Sequence, residues 1–120
     1  MKELLRKHHI SIKTAFSGLV WALTTQPNFR IHLFVSAVAL SSAFFLRVSK
    51  VELIIIVFTV MLGLVAEMIN TAIESVTDLV TSEWKKEAKI AKDVSAGMML
   101  TVAIGAIVVA AIIFWPYVFG

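Results

Sequence analysis

The chain of 120 residues contains no cysteine, which excludes disulfides and thiolate metal sites. Charge is scarce: 16% of residues are charged against 59% hydrophobic, with a mean hydropathy of +0.91. A fold this small has too little interior to hide that much apolar surface, so a soluble domain is excluded and an integral membrane protein is left. Glycine-rich nucleotide fingerprints are missing too. "GLVAEM" and "GMMLTVAIG" fit no P-loop, kinase glycine loop or dinucleotide motif, which excludes the standard nucleotide-binding folds. The N-terminal stretch "MKELLRKHHISIKTAF" lacks an early unbroken apolar core followed by a cleavage site, and is read as part of the mature protein. The net charge of +3 is modest, and no nucleic-acid partner is expected.

What remains is one all-α membrane domain over residues 1–120. Three apolar stretches predict spans over about 27–48, 51–80 and 94–119. Pro27 suits a first helical turn, where its missing N–H costs nothing. Only "RVSK" separates the first two spans, so they form an antiparallel hairpin. Trp115 and Tyr117 fit an interfacial aromatic belt at the end of the third. Before them, Leu5, Ile12, Phe16, Leu19 and Leu23 recur at helical spacing, with Arg6, Lys7 and Lys13 elsewhere on the wheel. That pattern predicts an amphipathic surface helix over about 2–24. "SEWKKEAKIAKD", residues 82–93, reads as a polar bridge between the second and third spans. Lys2, Arg6, Lys7, Lys13 and Arg30 precede the first span, and Lys85, Lys86, Lys89 and Lys92 separate the second from the third. Arg47 and Lys50 alone lie on the other side. The positive-inside rule then puts the N-terminus in the cytoplasm and the C-terminus outside.

The second span carries the chemistry. At about 100° per residue, Glu67, Asn70, Thr71, Glu74 and Asp78 share a sector of roughly 100°. Met68, Ile69, Ala72, Ile73 and Val76 occupy the opposite side. An ionised Asp at a helix centre costs about 2.5–3.5 kcal/mol on insertion scales, less near the interface, so a stripe of acids leaving the membrane needs a compensating partner. Arg30, Lys92, Lys7 and Lys13 lie at the same depth. Carboxylates that hold Mg²⁺ beside lysines and an arginine suit a polyphosphate. A further carboxylate can take a proton from an attacking hydroxyl. Phosphoryl transfer needs little beyond positioning, charge neutralisation and such a base.

The run "AEMINTAIESVTDLVTSEWKKEAKIAKDVSAG" resembles the signature of the small prokaryotic diacylglycerol kinase family, E-x-x-N-[ST]-A-I-E-x-x-x-D followed by A-K-D. The matching residues are Glu67, Asn70, Thr71, Ala72, Ile73, Glu74, Asp78, Ala91, Lys92 and Asp93. "NFRIHL", Asn28–Leu33, resembles the stretch that opens the family's first span. The resemblance implies a homotrimer, with sites between neighbouring subunits, that passes the γ-phosphate of Mg·ATP to a lipid alcohol. It assigns Glu67 as catalytic base and Glu74 as metal ligand. It puts Asn70 in the site. Lys92, Asp93 and the stretch Glu83, Trp84 and Lys85 fall at the nucleotide, with Lys7. Arg30 falls in the region that meets the lipid, beside Glu67. Two departures stand out. Gln26 occupies a position where many relatives place a second metal-binding glutamate; it still offers a neutral oxygen, so either the metal leans harder on Glu74 and phosphate oxygens, or Asp78 helps as an auxiliary ligand, or activity is reduced. Thr14 stands at a nucleotide-side position where some relatives carry tyrosine.

"NFRIHL" and "AKIAKDVSAG" look closer to the undecaprenol kinase branch of the family than to the diacylglycerol kinase branch, whose product is phosphatidate. The residues themselves read only as "lipid alcohol". The expected setting is a bacterial plasma membrane. An oligomeric proton or ion pathway lined by the same carboxylates is a distant alternative, because the first and third spans offer no intramembrane charge to continue it. A third reading, suggested by Gln26, is a nucleotide-binding protein without turnover. His8 and His9 point about 100° apart on a helix and are read as surface residues rather than a chelating pair. Ala39 with Ala43, and Ala106 with Ala110, form small-xxx-small pairs that permit close helix packing and a subunit interface.

Overall fold

The fold is known from a computed structural model describing residues 1–120, apart from the side chains of residues 8–10. The expectation for His8 and His9 therefore lies outside the described residues. Four helices follow one another: α1 (Lys2–Thr25), α2 (Pro27–Leu46), α3 (Lys50–Val80) and α4 (Lys86–Phe119). Three of them, α2 to α4, are long and apolar enough to cross a membrane.

The breaks have local causes. Gln26 is extended, at φ −108° and ψ 102°, because the ring of Pro27 disfavours a helical residue before it. That single residue turns α1 away from α2. At the far end of α2, Arg47 takes the left-handed conformation, at φ 53°, and its N–H caps the carbonyls of Ala43 and Phe44. Ser49 then opens α3 with a capping box: its hydroxyl accepts from the Glu52 N–H, and the Glu52 carboxylate accepts from the Ser49 N–H. The Tyr117 hydroxyl, from the end of α4, donates to the same carboxylate at 2.6 Å.

α4 differs from expectation. It starts at Lys86, eight residues before the point where hydropathy places the span. "KEAKIAKD" is rich in good helix formers, and Lys89 pairs with Asp93 one turn on, so this segment is helical although it is too polar for lipid. The α3–α4 connection shrinks to residues 81–85.

α4 packs chiefly on α3, and α2 on the other flank of α3. The helix bundle has a dry half and a polar half. Ala43, Ile56 and Ile113 form the dry core near the α2–α3 hairpin, with Leu40, Val48, Val60, Val109 and Phe114 packed around it. Ala43 is 1% exposed, so that member of the first small-residue pair packs within the chain. Towards the other end the buried groups change to Gly63, Ala66, Glu67, Asn70 and Ser95. Most remaining apolar side chains point outward, as the bilayer requires. The outward hydroxyls of Ser42, Thr59 and Thr101 bond back to carbonyls one turn earlier, which satisfies them without water. On α1, Leu5, Ile12 and Phe16 are more than half exposed, leaving an apolar face for the membrane surface.

Candidate active site

α3 presents the acidic stripe, and the neighbouring helices decide what each member does. Glu67 is 4% exposed and faces α2, where His32 Nε2 stands 3.8 Å from its Oε2. Asn70, one turn on, faces α4: its Oδ1 accepts a 2.6 Å hydrogen bond from the hydroxyl of Ser95, itself buried. Asp78, two turns further, meets Lys92 of α4 at 2.6 Å between Oδ1 and Nζ. Glu74 lies between these contacts and is exposed; among the described residues it forms no ion pair within 4.0 Å, although its charge reaches the Lys92 ammonium. The stripe is thus one ladder in register but three environments in depth: a nearly buried carboxylate, a solvent-facing one, and one neutralised by lysine.

Other residues singled out from the sequence fall around this ladder. Asp93 pairs with Lys89, and Glu83 lies 3.7 Å from Lys85 in the α3–α4 connection, beside a largely exposed Trp84. Gln26 is half-buried at the α1–α2 break, where its amide donates to the Thr25 hydroxyl at 3.3 Å. Arg30, on the first turn of α2, is exposed and, among the described residues, makes no ion pair. On α1, Lys7 is exposed, and Thr14 lines a shallow concavity with Gly18 and Met68. Within one chain, then, Glu67, Asn70, Glu74, Asp78 and Lys92 come together on one flank. Among the described residues, Lys7, Gln26 and Arg30 are bonded to none of them.

Two partners were not anticipated. His32 lies two residues after Arg30 inside an apolar run, and Ser95 lies one turn after Lys92. Both are polar residues at the helix-facing positions of otherwise apolar stretches, which is the signal that points to them.

Among the described residues, no three acids or histidines converge on one point. A magnesium ion asks for less: one or two carboxylates hold it, and phosphate oxygens and water complete its octahedron. The exposed all-oxygen donor at Glu74, within electrostatic reach of the Lys92 ammonium, fits such an ion arriving with a polyphosphate.

The chain is similar to known proteins along most of its length. A family model described as prokaryotic diacylglycerol kinase matches residues 13–114. A Synechocystis protein named diacylglycerol kinase is 37% identical over 108 residues, which cover 89% of this chain but 62% of that protein. The undecaprenol kinase of Bacillus subtilis is 32% identical over 113 residues, covering 93% of this chain and 91% of the relative. A Haemophilus influenzae diacylglycerol kinase is 31% identical over 106 residues, or 88% and 90% of the two chains. With three apolar helices of spanning length, this is a bacterial membrane protein. The chain belongs to the prokaryotic diacylglycerol kinase family, a family of membrane lipid kinases.

Proposed function

We propose that the chain phosphorylates a membrane lipid alcohol with ATP at the cytoplasmic edge of the membrane. The observation that carries this reading is Glu67: a carboxylate kept nearly out of water, on the same helix flank as an exposed carboxylate and a lysine. A base in that position takes the proton from the lipid hydroxyl, whose oxygen then attacks the γ-phosphorus. The bond from the γ-phosphorus to the β–γ bridging oxygen breaks, ADP leaves, and the proton on Glu67 passes to water. Lys92 neutralises phosphate charge, with Asp78 holding its ammonium in place until nucleotide arrives. Asn70, fixed by Ser95, offers its amide N–H to the nucleotide side of the site. Lys7, Thr14, Glu83, Trp84, Lys85 and Asp93 complete the nucleotide surface, and Arg30 meets the lipid headgroup.

Glu74 would hold the Mg²⁺, with Gln26 as a neutral oxygen donor and Asp78 as an auxiliary. Bound there, the ion would neutralise charge on the β- and γ-phosphate oxygens.

Among the described residues Lys7, Gln26 and Arg30 are bonded to no member of the ladder, which is compatible with sites that draw on a neighbouring subunit, and the homotrimer itself rests on the family resemblance. The basic residues at the α1 and α3–α4 end support a cytoplasmic N-terminus and an external C-terminus. Of the two acceptors that the relatives' names carry, undecaprenol is our reading, on the strength of "NFRIHL" and "AKIAKDVSAG". The test is transfer of labelled γ-phosphate by the purified protein, with undecaprenol and diacylglycerol offered side by side. Faster labelling of undecaprenol is expected. Preference for diacylglycerol reverses the assignment, and labelling of neither lipid rejects the kinase.

A further inference from the structure

Glu67 is the most enclosed carboxylate of the stripe, and a buried carboxylate needs a partner. Among the described residues one basic side chain lies within ion-pair reach of it, and that is His32 of α2. Arg30 on the same helix is exposed, Lys92 of α4 is held by Asp78, and Glu74 on α3 repels. At 3.8 Å the contact is electrostatic rather than a formed hydrogen bond, and such contacts in substrate-free sites tighten when substrate binds.

The ring packs directly against α3. Gly63 lies one turn before Glu67 on α3, and a Cβ built there would meet His32 Nδ1 at 3.7 Å. That distance is ordinary van der Waals contact, so the ring packs on α3 at this turn, with Nδ1 on the Gly63 side and Nε2 towards the Glu67 carboxylate. The half-buried ring also caps one end of an apolar groove that runs between α2, α3 and α4 past Val35, Ala39, Ile56 and Ala106. His32 thus stands where hydrocarbon gives way to the acidic ladder.

We propose that His32 is a positioning residue for phosphoryl transfer: its imidazole N–H fixes which way the Glu67 carboxylate faces, so that one oxygen is aimed at the acceptor hydroxyl. The proposal rests on the reading of Glu67 as base. It makes His32 distinct from a core histidine, because losing it moves the base without touching the nucleotide.

The test compares the full-length protein with His32→Leu, His32→Gln and Glu67→Gln, assayed with Mg·ATP and lipid alcohol. His32→Leu is expected to lower kcat at least about tenfold, towards the ~10²-fold that a 1 Å misplacement costs, with KM for ATP unchanged. His32→Gln keeps an N–H at similar reach and recovers most of the loss. An independent arm follows the ¹⁵N signal of His32 Nε2 in folded protein, which moves on Glu67→Gln if the two groups are paired. Full kcat in His32→Leu, or a signal indifferent to Glu67→Gln, overturns the proposal. Should His32→Leu not fold, the nitrogen signal decides. A wild-type protein without kinase activity overturns the base reading and the role of His32 together. Loss of activity in Glu67→Gln alone, with His32→Leu at full rate, removes only His32.

Discussion

Lys92 and Asp78 share a 2.6 Å contact although both remain substantially exposed, whereas Glu67 is enclosed and, among the described residues, has the His32 imidazole as its one basic neighbour within ion-pair reach. The two carboxylates are therefore suited to different tasks. An exposed ion pair contributes about 0–1 kcal/mol to stability, so the Asp78–Lys92 pair is easily exchanged for a phosphate. An enclosed carboxylate is poorly hydrated and holds no strong cation, which suits it to accepting a proton. Glu67→Gln removes the acceptor while keeping size and polarity. It is expected to lower kcat at least about a hundredfold, the lower end for a lost general base, with the protein still folded and binding ATP. Single-turnover transfer measured beside ATP binding checks this, and an unimpaired transfer step in Glu67→Gln removes Glu67 from the mechanism. The stripe was legible in the sequence because a helix turns by about 100° per residue. The depth of each member was not, since it depends on α2 and α4. Nothing in the 66–78 run says that Asn70 meets Ser95 or that Glu67 meets His32.

At the scale of the element, the signals that were readable are those set locally. Pro27 starts a helix, "RVSK" closes a hairpin, and long apolar runs form helices of membrane-spanning length, whereas the Ser49–Glu52 capping box emerged only with the fold. The beginning of α4 was not legible from hydropathy, because hydropathy reports contact with lipid and not helicity. "KEAKIAKD" is both helical and polar, so the helix runs well past the point where the hydrocarbon ends. This continuation brings Lys92 beside Asp78. The opposite end of α3 shows how a helix terminus is tied to a neighbour. Glu52 receives the Ser49 N–H at 2.9 Å and the Tyr117 hydroxyl at 2.6 Å through one oxygen, joining the start of α3 to the end of α4. Ser49→Ala removes the hydroxyl cap and is expected to cost about 1 kcal/mol. Thermal unfolding in detergent should show that loss, with kinase activity unchanged below the transition, because the acidic ladder lies at the other end of α3. An unchanged midpoint would mean that the bilayer-spanning contacts alone hold this terminus.

At the scale of the whole molecule, the two halves of the bundle follow from the bilayer. α3 has 31 residues, which at about 1.5 Å each make roughly 46 Å, well beyond a hydrocarbon core of about 30 Å. One end of α3 must stand in water, and it is the end that carries Glu74 and Asp78. The basic residues of α1 and of the start of α4 gather at that same end, while Arg47 and Lys50 mark the other. In the proposed function the same charges orient the chain and serve the site, and orientation decides whether the ladder sees cytoplasmic ATP. The absence of cysteine makes this directly measurable, since a single introduced thiol is labelled without background. Ser82 lies in the α3–α4 connection and Lys50 opens α3, and both are exposed. In intact cells, a membrane-impermeant maleimide is expected to label Lys50→Cys and to spare Ser82→Cys, which reacts once the membrane is opened. Lys50→Cys also removes a positive charge from the outer side, so the substitution reinforces the orientation it reports. The opposite labelling pattern would turn the acidic ladder away from the nucleotide supply, and no arrangement of Glu67, Glu74 and Lys92 would then make this chain an ATP-dependent kinase.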